Sequence, residues 1–129
     1  DTKEKVVTFE NTGKSDAYVR VKVTPSWTAA DGENALSADN VVIDYNEDDW
    51  VLGTDGWYYY DGILKKGDIT SALFTTVHFK PSNGENYTDD NQYQGATLKI
   101  HIDAEAIQAA NGAAENAWSG FPFGDDSGV

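Results

Sequence analysis

The chain has 129 residues, no cysteine and no methionine, and sets 22 acidic against 9 basic residues for a net charge of −13. Such a surface repels nucleic acid and anionic lipid, which excludes both as partners, and the missing cysteine excludes disulfide staples and thiol chemistry. A single domain of this length buries a core unaided, and four tryptophans, seven tyrosines and five phenylalanines exclude disorder over most of it. No apolar run reaches the length of a membrane-spanning helix. The lack of even an initiator methionine reads as a processed or trimmed chain, and the cysteine-free composition fits secretion by a disulfide-independent route.

At the start, Lys3 and Lys5 alternate with Glu4, and Val6, Val7 and Phe9 follow in a β-prone run. A turn at Asn11-Thr12-Gly13-Lys14, with Gly13 at positive φ, leads into strict alternation: Ala17, Val19, Val21 and Val23 on one face, Tyr18, Arg20, Lys22 and Thr24 on the other. Residues 3–24 therefore read as two strands joined by a short loop, stopped by Pro25, with Trp27 as a plug beyond it. Residues 28–37 form a loop turning at Asp31-Gly32 and anchored by Leu36; residues 40–45 (NVVIDY) are a strand. Thr54-Asp55-Gly56 between Trp50-Val51-Leu52 and Trp57-Tyr58-Tyr59-Tyr60 is a hairpin signal, and further tight turns fall at Asp61-Gly62 and at residues 65–68.

Residues 69–79 resume as a strand closed by Pro81, and residues 82–94 are a flexible polar loop carrying the glycosylation-type triplet Asn86-Tyr87-Thr88. Leu98, Ile100, Ile102, Ala104 and Ala106 then alternate with Lys99, His101, Asp103 and Glu105. This is a long strand to about Gln108; helix over residues 104–114 is the competing reading, set aside because the period-two alternation runs on through the alanines. After Trp118 only Phe121 and Phe123 grip, so the tail is expected to be loosely held. The regular turn spacing predicts one all-β domain over residues 1–129.

Several residue groups invite chemistry. His78 and His101 are the two histidines; a zinc site needs three or four ligands and local spacing such as H-E-x-x-H is missing, although the two could meet across adjacent strands. Asp48, Asp49, Asp89 and Asp90 supply the hard oxygen donors that calcium prefers, on loops that match no EF-hand. Trp57, Tyr58 and Tyr60 offer a carbohydrate-stacking surface, although alternation sends half of the 57–60 strip into the core. Lys5, Lys22 and Lys99 sit on strands near Asn or Asp residues, as isopeptide-forming lysines of some Gram-positive pilins do. No nucleophile elbow, phosphate loop or catalytic triad order is present.

Taken together, NTGKSDAYVRVKVTPSW, LSADNVVIDYN, DDWVLGTDGWYYYDGILKKGD and ATLKIHIDAEAIQAANG with ENAW resemble the SipW-dependent exported biofilm-matrix and pilus-like proteins of Firmicutes. That group includes TasA, camelysin and the clostridial BsaA type, and the BsaA type is the most similar. The resemblance spans residues 6–118 apart from the loop at 80–94. It implies a jelly-roll-like antiparallel β-sandwich, secreted to the cell surface and assembled into extracellular fibres. It also implies that the precursor carries further residues ahead of Asp1. It transfers no active site: camelysin has been described as a metalloprotease, but no zinc motif supports that here, and no LPxTG-type sorting signal is present.

The reading is a non-enzymatic structural subunit without a cofactor, whose partners are copies of itself added head to tail, together with other matrix components. Donor-strand addition through the N-terminal segment, with Val6, Val7 and Phe9 as assembly residues, is the expected mode, and the chain itself is expected to be largely monomeric. A carbohydrate-binding module using Trp57, Tyr58 and Tyr60 and a metal-dependent protease are the alternatives.

Overall fold

A computed structural model describes residues 2–80 and 91–124. In chain order the strands are β1 (Thr2–Glu4), β2 (Ala17–Thr28), β3 (Ala35–Leu36), β4 (Val41–Tyr45), β5 (Trp50–Leu52), β6 (Tyr58–Tyr60), β7 (Phe74–Phe79) and β8 (Thr97–Gln108), followed by a short helix α1 (Ala113–Ala117). They form an all-β, antiparallel sandwich. One sheet has the order β1-β7-β4; in the other, β2 is central, with β8 along one side and β3 and β6 sharing the second, and β5 outside β6.

The alternation in β2 places Val19 and Val21 in the core between the sheets, where they meet Trp50, Tyr58, Leu64, Leu73, Phe74 and Val77. Val23, Ile100 and Ile102 pack at its margin. The other face of β2 is not simply polar. Tyr18 and Tyr59 are buried there beneath the C-terminal segment, with Ala114 and Trp118. Phe121 lies 4.8 Å from Tyr18, edge to face, so the tail is anchored through residue 123 rather than loose from residue 118.

Pro25 does not end its strand: β2 runs on to Thr28 and keeps an unbroken register with β8. Ala17 exchanges both backbone hydrogen bonds with Leu64 (3.0 and 2.8 Å), on the side away from β8. Odd-numbered residues of β2 thus turn their N–H away from β8. The donor that Pro25 lacks falls in the gap between β6, paired at Arg20–Val21, and β3, paired at Trp27–Thr28, so no ladder bond is lost.

Other local expectations shift as well. Residues 3–24 are not a hairpin, because β1 pairs with β7 in the opposite sheet and residues 5–11 run on along residues 67–75 through backbone hydrogen bonds. Gly13 has no positive φ; its N–H bonds Asn11 Oδ1 at 3.0 Å, and this Asx turn makes the corner. The strand predicted from residue 69 begins at Phe74. A helix forms after all, α1, entered through Asn111 and Gly112, both at positive φ. The hairpin about Asp55-Gly56 is as expected, with Trp50–Leu52 paired to Tyr58–Tyr60. Of the expected polar loop, residues 82–90, with the triplet Asn86-Tyr87-Thr88, lie outside the described residues. Beyond them Tyr93 packs on Trp27 with ring centroids 5.4 Å apart and donates its hydroxyl to Ser37 O, which ties that end down.

Candidate functional site

Among the described residues β8 pairs with β2 alone, so one side of a 12-residue strand is open. The parity that spares Pro25 also fixes what this edge offers. Residues of β8 opposite odd-numbered β2 positions turn N–H and C=O outward, and these are the even-numbered ones, including Ala104 and Ala106. Their side chains share the inner face with their partners Val21 and Val19. Yet Ala104 and Ala106 are exposed while Val21 and Val19 are 0% and 5% exposed. The inner face of the sandwich therefore opens to solvent beside this edge. A groove of about 390 Å³ runs there between residues 9–15 and residues 104–108, with Phe9, Ala17 and Val19 in its wall. An extended strand edge is the arrangement that accepts another strand through its backbone groups, and the groove beside it mixes apolar Phe9, Ala17 and Val19 with polar Glu10, Asn11, Lys14 and Glu105.

The edge is braced from behind. On the outer face Glu105 Oε1 accepts from Arg20 Nη2 (2.7 Å) and Nε (3.0 Å). The Arg20 guanidinium lies 4.1 Å from the Trp57 ring and 4.7 Å from that of Trp118, and Nη1 reaches Asp55 at 3.3 Å and the Tyr59 oxygen at 3.2 Å. Tyr59 donates a short hydrogen bond to Asp55. Burial alone would raise the Asp55 pKa, but hydrogen bonds from Tyr59 and the Trp57 N–H, together with the Arg20 charge, hold it below the usual carboxylate range. Burial and the bond to Asp55 push Tyr59 up to about 12. Gly120 passes so close that a side chain there would collide with the Asp55 carboxylate. Arg20, Asp55 and Tyr59 bond one another beneath Trp118, so the cluster acts as a clasp for the C-terminal segment.

The residues singled out from the sequence do not converge. Tyr58 is 8% exposed and stacked on Tyr45, Tyr60 is half-buried and edge-on to Trp50, and Trp57 lies under Arg20 on the opposite face. The three rings form no common platform. Asp49 accepts from Asn46 Nδ2 (3.1 Å), Asp48 donates its N–H to Asn46 Oδ1, and hydrogen bonds from Ser71 and then Asn46 lower the Asp49 pKa. These two acids shape the turn into β5, and Asp89 and Asp90 lie outside the described residues.

His78 and His101 stand in different sheets, each beside its own aspartate, Asp44 at 3.2 Å and Asp103 at 3.1 Å. No group of three or more His, Asp or Glu that could hold a metal occurs among the described residues. Lys5, Lys22 and Lys99 are all exposed, unlike the buried lysine an isopeptide bond requires. Val7 and Phe9 pack on their own core, Phe9 lying 6.1 Å from Trp50, while Val6 is 66% exposed. Sequence reasoning passed over Ala104, Ala106 and Arg20. The available signal was the step from Leu and Ile to Ala along the inward positions of β8.

No protein-family model, no curated protein and no solved structure matches this chain.

Proposed function

We propose that this chain is a secreted structural subunit that polymerises into extracellular fibres, each copy adding an N-terminal strand to the free edge of β8 in the next. The single observation that carries the mode of assembly is the open β8 edge beside a groove that reaches the core residue Val19. Secretion and the matrix role come from the sequence resemblance. The donor is the flank at and ahead of β1. Val7 and Phe9 are tied into their own core, whereas β1 hangs on three residue pairs at a sheet edge, and the resemblance puts further residues ahead of Asp1. Adding a strand of one copy to a different surface of the next is a heterologous contact, which repeats without closing and gives an open filament.

The test compares the chain starting at Asp1 with one carrying the upstream residues of its precursor, by sizing and electron microscopy. Fibres are expected from the longer form and monomers from the shorter. Ala106→Pro removes an N–H that points away from β2, so it should abolish fibres with little loss of monomer stability. Fibres that persist in Ala106→Pro, or a longer form that stays monomeric at high concentration, would refute the assembly mode.

A further inference from the structure

Independently of strand addition at β8, we infer that residues 113–124 are an exchangeable strap: the face they cover around Arg20 also accepts the same segment from a second copy. The occupant is visible on that face. Trp118 lies 4.7 Å from the Arg20 guanidinium and edge-on to Tyr59, while Phe121 and Phe123 close on Tyr18. Backbone bonds of the segment are local, from Trp118 N–H to Ala114 O (2.8 Å) and from Phe121 N–H to Trp118 O (3.0 Å). Rings and a cation grip the face, in a cluster separate from the core between the sheets. A unit held this way transfers whole, with no sheet to rebuild.

The hinge is short. Upstream, the chain is fixed as far as Ala109, whose N–H bonds Asp16 O at 3.0 Å. Asn111 (φ 63°, ψ 26°) and Gly112 (φ 66°, ψ 21°) are left-handed, between Ala109 and Ala113, which are right-handed. Those two residues turn the strap back over its own sheet. With both right-handed, residues 109–117 run on as one helix, which the alanine-rich sequence AANGAAENA favours. Asn111, which carries a Cβ, also gives up left-handed strain in that change. The straight form carries Trp118, Phe121 and Phe123 away from their own face and leaves it bare. Two such copies satisfy each other by exchange, since every strap matches every face. In dilute solution the tether favours the closed monomer by holding the strap at a high effective concentration, and crowding of copies removes that advantage.

Asn111→Ala with Gly112→Ala penalises the left-handed corner, and Asn111→Gly relieves it. By light scattering the double variant should dimerise at concentrations at least roughly tenfold below those needed by the wild type or Asn111→Gly. Adding Trp118→Ala should return it to monomer, whereas adding Ala106→Pro, aimed at the β8 edge, should leave the dimer intact. A second measurement needs no hinge variant. A synthetic peptide of residues 109–124 should bind full-length Trp118→Ala and shift the resonances of Tyr18, Arg20 and Tyr59. The peptide with Trp118→Ala and Phe121→Ala should not bind.

A folded double variant that stays monomeric, or a dimer that survives Trp118→Ala, would overturn the inference. Equal binding of the two peptides would do so as well, and this pair decides alone if the hinge variants fail to fold. A dimer lost on Ala106→Pro would overturn it by returning the contact to the β8 edge. Exchange without fibres from the N-terminally extended chain would remove the proposed function and leave the strap standing.

Discussion

Val21 contributes no surface to solvent and sits where β2 meets the core from its central position. Val21→Ala should cost about 1–3 kcal/mol, because the surrounding rings of Trp50, Tyr58 and Phe74 cannot collapse into the gap; an unchanged denaturation midpoint would mean the core is built otherwise. Tyr45 and Tyr59 have the opposite sensitivity, to alkali. Burial pushes Tyr45 up to about 12, helped by the neighbouring Tyr58, and Tyr59 is also pushed up to about 12. A tyrosine raised on folding contributes stability that is complete below its unfolded value of about 10 and is lost as pH climbs through its folded one. Denaturation midpoints should therefore fall between pH ~10 and about 12, with tyrosinate absorbance appearing late. Tyr59→Phe should remove part of that fall. Asp55 works in the acid direction: its folded pKa is depressed, so its contribution holds above about pH 4 and disappears as pH drops further. Asp55→Asn should flatten that acid limb.

At the scale of elements, the strands whose alternation is continuous were legible, and those decided by distant partners were not. The inward series of β2 and β8 and the hairpin of β5 and β6 follow from period two and Asp-Gly turn chemistry. Pro25 misleads because a missing N–H matters only where a neighbour waits for it, and the neighbours, β3 and β6, are set by long-range pairing. The C-terminal segment misleads for a related reason. Tyr18, Trp57 and Tyr59 lie on what alternation marks as the solvent face, and nothing local says that residues 109–124 return to cover it. The candidate site was hidden by its chemistry: two alanines and a row of backbone groups carry no motif. The segment's cover has its own test. Trp118 is 6% exposed and lies against both Arg20 and Tyr59, so Trp118→Ala should cost about 3–5 kcal/mol. Hydrogen exchange should quicken first in residues 109–124, and quickening first in β7 instead would show that the two cores are not separable units.

For the whole molecule, charge and topology pull in opposite directions. An open edge invites association, whereas a net charge of −13 makes each copy repel the next. The paired outer face of β2 and β8 softens this locally, since Lys22 lies opposite Asp103 and Arg20 opposite Glu105. Other acids sit in turns, such as that at Asp48 and Asp49, and the acidic excess should slow subunit docking at low ionic strength. Screening shortens the reach of that repulsion from about 10 Å at 0.1 M salt to about 3 Å at 1 M, while hydrogen bonds along β8 and apolar contacts in the groove are little affected. Fibre growth from the N-terminally extended chain should therefore accelerate with sodium chloride, and calcium and magnesium at matched ionic strength should act alike. Growth that slows with salt would mean that attraction between unlike charges, not strand addition against a repulsive background, drives assembly. Acceleration by calcium alone would place a coordinating site in the contact, and Asp48→Asn with Asp49→Asn would then be the variants to abolish it.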